Sequence, residues 1–125
     1  MSDPVRVDIE VHTDVLEETS FQVGYFSEVG AFVPVSLAGR TLKMMVRTPN
    51  ADEATVLLDS ATDASVCEPL SGDPTYVRVM IPSNLTSALL LGNHEHAIVD
   101  ITDAGTDGEL LIAKGLFTVK RQAVR

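Results

Sequence analysis

The chain has 125 residues, one domain's length, enough to bury about two-thirds of the surface its unfolded form would expose. At 45% hydrophobic and 22% charged it has the composition of a folded chain rather than a disordered one. Nine Lys+Arg against eighteen Asp+Glu leave a net charge of −9. That balance argues against nucleic acid as a partner, whose binding draws on basic groups that neutralise phosphates, and it would repel anionic membranes.

Val5, Val7, Ile9 and Val11 alternate with Arg6, Asp8, Glu10 and His12, the period-two pattern of a half-buried strand. Thr13 to Ser20 is polar and acidic and reads as a loop. Phe21, Val23 and Tyr25 resume the alternation. Ser27 to Arg40, with Gly30, Pro34 and Gly39, reads as a long loop. Leu42, Met44 and Val46 alternate with Lys43, Met45 and Arg47, and Thr48 to Asp52 ends that strand. Ala54–Asp59 and Ser65–Glu68 read as short strands about a turn at Ala61–Ala64. Ser71-Gly72-Asp73-Pro74 is a turn, and Val77, Val79 and Ile81 form the next alternating face. From Pro82 to Gly92, Leu85 and Leu89 stand at helical spacing, with Ser83 as the expected N-cap and Gly92 as the stop. This short helix is expected to cross between two sheets. His96–Thr102 and Leu110–Lys120 complete the set as a hairpin about Asp103–Gly108. About eight strands and one short helix predict an all-β sandwich, as one domain over 1–125.

The order of these features resembles a known group. Phe21-Gln22-Val23 leads to Glu28-Val29-Gly30 and then Val35-Ser36-Leu37-Ala38-Gly39-Arg40-Thr41. A strand ends at Val46-Arg47. Ile81-Pro82, Thr86-Ser87-Ala88-Leu89 and Gly92 come later, followed by Val99-Asp100-Ile101-Thr102-Asp103 and by Leu111, Gly115, Phe117 and Val119. Over about residues 20–120 this resembles the immunoglobulin-like β-sandwich domains of tailed-phage tail, baseplate and fibre proteins, including the N-terminal domain of upper baseplate proteins. The resemblance implies an immunoglobulin-like sandwich. It also implies a structural virion protein, made in the bacterial host cytoplasm, that acts through contacts with other tail or baseplate proteins and with its own copies. A stand-alone adhesin- or lectin-like module that binds a surface or glycan is the alternative. Absent Trp and 5% aromatics count against sugar stacking.

From the residues themselves, Gly39, Gly92 and Gly115 are expected at turns, caps or bulges. Leu37, Leu89, Val99, Ile101, Leu111, Phe117 and Val119 are expected in the core. No basic leader or long apolar run is visible, so a soluble chain made in the cytosol is expected, with no membrane partner.

No catalytic signature is present, neither a Gly-x-Ser-x-Gly elbow, a phosphate-binding glycine loop nor His-Glu-x-x-His, so the chain is expected not to be an enzyme. Cys67 has no disulfide partner in the chain and reads as a small buried hydrophobe. His94 and His96 share a strand face, but no third ligand follows by spacing, and they read as a solvent-facing strand end. Asp103 to Glu109 resembles a calcium loop, but it has Gly105 at the third position and Lys114 at the twelfth, and it reads as a hairpin turn. The Asn84-Leu85-Thr86 sequon, without a secretory signal, reads as a chance match. No metal or cofactor is expected. The candidate interface lies in the long loop, at Val29, Phe32, Val33 and Val35, because long loops in small domains are commonly functional and this one is apolar. Phe32 is read either as an interface anchor or as a side chain tucked under the loop.

Overall fold

The computed structural model describes residues 5–49, 55–102 and 110–121. Among them are eleven strands: β1 (Val5–Arg6), β2 (Ile9–His12), β3 (Glu17–Gln22), β4 (Gly24–Phe26), β5 (Phe32–Pro34), β6 (Leu42–Arg47), β7 (Val56–Asp59), β8 (Val66–Leu70), β9 (Asp73–Ile81), β10 (Gly92–Asp100) and β11 (Leu110–Lys120). One helix, α1 (Ser83–Thr86), carries the chain from β9 to β10. A six-stranded sheet runs β1–β11–β10–β6–β7, with β2 also paired to β11. A three-stranded sheet runs β3–β9–β8, and β4 and β5 pair only with each other. The fold is an all-β sandwich.

The alternation read from the sequence places the core. Leu42, Met44 and Val46 of β6 are buried, while Lys43 and Met45 are half-buried and Arg47 is exposed. Val77, Val79 and Ile81 of β9 are buried in the same way from the smaller sheet. Together with Ile98, Phe117, Val119 and Cys67 these side chains form one hydrophobic cluster between the two sheets. Burying each large apolar side chain contributes about 1.5–3 kcal/mol, and the cluster is what holds the two layers together. The β10–β11 hairpin pairs from Gly92↔Val119 to Asp100↔Leu110, with a register shift between Ile98 and Val99.

The strand read at Val5–Val11 is two strands, both parallel to β11. Between them Val7 N–H donates to Lys114 O at 2.9 Å, and Asp8 Oδ1 accepts Leu116 N–H at 3.0 Å. Gly115 makes this junction possible. A Cβ there would stand 2.1 Å from Val7 O, closer than any real contact.

Several sequence expectations are corrected. The polar loop stops short of Glu17, because Glu17 to Gln22 pair with β9 as the edge strand β3. Charged and polar side chains suit such an edge, since they deter further pairing, and they hide it from a search for apolar alternation. The long loop contains β5. Ser83 is not the N-cap of α1: Pro82 takes that place, without a side-chain cap bond. Leu111 is exposed, and Val99 and Ile101 are only half-buried. In β10 the inward face belongs to Ile98 and Asp100, and the register shift turns Leu111 outward. Leu37, Leu89, Phe117 and Val119 are buried as expected.

Candidate assembly interface

Strands β4 and β5 form a hairpin arm that is not part of either sheet, in register from Gly24↔Pro34 to Phe26↔Phe32. Its root is buried and tied to the sandwich. Val23 and Leu37 are core residues, Val23 N–H donates to Thr75 O at 2.9 Å, and Leu37 N–H donates to Pro74 O at 2.8 Å. Gly24 permits the two strands to close at the root, since a Cβ there would lie 2.1 Å from Val33 O. At the tip Ser27 N–H donates to Ala31 O at 2.8 Å and Gly30 N–H donates to Ser27 O at 2.9 Å. Gly30 takes the positive φ of 83° that this tight return demands. These bonds give the arm a defined shape.

Its side chains are apolar and open to solvent. Phe26 is 72% exposed and Val29 89%, with Tyr25 and Val35 also exposed. Phe32 is half-buried, its ring edge-to-face on Phe26 with centroids 5.4 Å apart. Val33 is half-buried beside it. Of the four residues singled out in the sequence, Val29 and Val35 are thus exposed while Phe32 and Val33 are half-buried. Phe32 supports another ring, and Phe26 presents the largest uncovered apolar surface. The adjacent aromatics Tyr25-Phe26 were the available signal, because alternation cannot bury both.

Three of the chain's six aromatic residues, Tyr25, Phe26 and Phe32, stand on this arm. In a chain so poor in aromatics, that allocation places half of its strongest hydrophobic and stacking groups outside the core.

The other candidates are elsewhere. His94 and His96 are buried, not solvent-facing, because β10 begins at Gly92 and puts both in phase with Ile98. His96 Nε2–H donates to Val7 O at 2.5 Å and His94 Nε2–H to Leu90 O at 2.9 Å. Both Nδ1 atoms are buried without a hydrogen-bond partner among the described residues. Burial lowers the pKa of His96, against smaller opposing effects of the Val7 carbonyl and Asp8. His12, the one further imidazole, faces Glu17 Oε2 at 3.0 Å and Glu10 at 3.5 Å. Among the described residues no three or more His, Cys, Asp or Glu side chains are grouped to hold a metal ion. The Asp103–Glu109 turn lies outside the described residues.

Cys67 is buried in the core, and burial, with Glu68 adding to it, pushes its thiol up to about 12, so it is a poor nucleophile. Asp100 is buried beside Arg40, whose Nε–H donates to Oδ2 at 2.6 Å. Burial alone would raise the Asp100 pKa. Hydrogen bonds from Thr102 and Arg40 outweigh it and hold the carboxyl below its ordinary value. That pair fastens the start of β6 to the end of β10. Thr86 does similar work at α1: fully buried, it donates to Val15 O at 2.7 Å.

No protein-family model and no curated protein matches this sequence.

Proposed function

We propose that the chain is a structural protein of a phage or prophage tail or baseplate, acting through protein–protein contacts made by the β4–β5 arm. The observation that carries an assembly role is the arm itself: a shaped hairpin, bonded at root and tip, that holds Phe26 and Val29 in solvent. Uncovered aromatic and aliphatic side chains of this kind form the energetic centre of protein interfaces when a partner desolvates them. The resemblance to tailed-phage sandwich domains supplies the virion setting, and repeated symmetric contacts are what virion assembly requires.

The test is Phe26→Asp, with Phe32→Asp beside it. Both proteins should keep a β-rich circular dichroism spectrum. Phe26→Asp should lose its oligomer in light scattering, or its capture of virion proteins encoded beside it. Loss of an interface anchor costs about 2 kcal/mol or more, about thirtyfold in affinity. A parent that is monomeric and captures no neighbouring virion protein would refute the proposal. Specific binding on a glycan array by the isolated chain would replace it with the adhesin-like alternative.

A further inference from the structure

The outer face of the six-stranded sheet, turned away from β3, β8 and β9, groups cationic side chains in a chain that is acidic overall. Four of the nine Lys+Arg side chains, Arg6, Lys43, Arg47 and Lys114, line one depression there, with a volume of about 650 Å³. Among the described residues Glu95 is the one carboxylate that lines it, and Asp8 pairs with Arg6 at 3.4 Å. The strand register explains the grouping. Arg47 stands opposite Glu95, itself opposite Leu116; Met45 stands opposite Ala97, itself opposite Lys114, which is next to Arg6. Alternation turns all of these away from the core. The result is a floor of Met45, Ala97, Val99 and Leu116 within a rim of cations.

The arm has the complementary character. Between Thr19 and Gly39 the only charged residue is Glu28, and it lies at the tip between the exposed Phe26 and Val29. An apolar knob with one carboxylate thus matches an apolar floor with a cationic rim. The arm is rooted at the start of β9, in the smaller sheet, while the depression is on the far side of the larger one. The two surfaces of one molecule therefore face different neighbours.

We propose that the arm of one copy docks, Phe26, Glu28 and Val29 foremost, into the basic depression of a second copy, giving a head-to-tail contact. The inference rests on the assembly reading above and names the arm's partner. A contact between two different surfaces propagates into a ring if its rotation closes and into a filament if it does not.

Complementation between two variants tests it. Phe26→Asp/Glu28→Lys damages the arm alone, and Arg47→Glu/Lys114→Glu damages the depression alone; all four side chains are exposed. In sedimentation velocity the parent should assemble with concentration, more weakly as salt rises, and each variant alone should be monomeric. Each variant should weaken the contact more than about tenfold. Their equimolar mixture should form one heterodimer and nothing larger, because it holds one intact arm facing one intact depression. Circular dichroism and melting verify that each variant is folded. If either double variant is not, the single changes Glu28→Lys and Lys114→Glu replace it, and mixing them must restore association. A face variant that assembles like the parent while the arm variant does not would overturn this inference and leave the assembly reading standing. A mixture that stays monomeric, or a parent monomeric at every concentration, would also overturn it. In those cases capture of neighbouring virion proteins by the parent, and its loss in Phe26→Asp, still decides the assembly reading.

Discussion

The sandwich body and the β4–β5 arm are built from the same kinds of residue and treat them in opposite ways. In β9, Val77, Val79 and Ile81 are at most 1% exposed, because β6, β10 and β11 present a second apolar layer to them. In the arm, Phe26 and Val29 point at solvent, because a two-stranded hairpin outside both sheets has no such layer. Apolar character is local, whereas burial needs an opposing surface. An isolated two-stranded hairpin is marginal in water, and this one is held by its root: the bonds to Pro74 and Thr75 and the buried Val23 and Leu37.

Truncation should affect the two regions very differently. Phe117→Ala empties a fully buried site at the centre of the cluster, and it should cost about 3–5 kcal/mol, read as a large fall in the denaturant midpoint. A variant that melts within a degree or two of the parent would mean that the body's core is not organised around β11. Gly115→Ala drives a Cβ into Val7 O and should cost about 1–3 kcal/mol, through displacement of β1 and β2 from β11. Hydrogen exchange should locate the loosening at Val5–His12. Unchanged protection there would show that the junction yields easily.

Acidification tests the body. His96 has a lowered pKa in the folded state, so the unfolded chain takes up the proton first. Its contribution is present above about pH 6.5 and is lost as pH falls toward the folded value. Asp100, also lowered, contributes above the ordinary carboxylate range near pH 4 and loses that contribution below it. Melting temperature should therefore fall first below about pH 6.5 and again below about pH 4, and His96→Asn should flatten the first step. Retention of that step in the variant would assign it to another group.

The smallest expected change in stability is in the arm. Phe26→Asp removes the edge-to-face contact with Phe32 and should cost about 1 kcal/mol or less, while removing association. A loss near that of Phe117→Ala would erase the contrast between the two regions and show that the arm belongs to the core.

The strands with clean alternation were legible in the sequence. β6 and β11 fall where the pattern put them, whereas the turn before β9 is confined to Ser71–Gly72 and β9 already begins at Asp73, within the expected turn. β3 was hidden, because an edge strand carrying Glu17, Glu18, Thr19 and Ser20 has no apolar face to announce it. The buried His94 and His96 were misread, because an imidazole counts as polar in a pattern search. In the folded chain a backbone carbonyl, from Val7 or Leu90, makes burial tolerable by accepting the Nε2–H. For the arm, the apolar segment was visible and its arrangement was not. Phe26 faces solvent and Phe32 supports it only because β4 and β5 pair in that register.

By itself the sequence determined the all-β class, the inward faces of β2, β6 and β9 and the acidic, disulfide-free character of the chain, since alternation and composition are properties of neighbouring residues. Only the tertiary structure decided which apolar side chains found a layer to bury them and which were left on the arm. It also decided that four cations distant in sequence share one depression. Both outcomes depend on strand pairing between distant segments, and no local pattern encodes the partner.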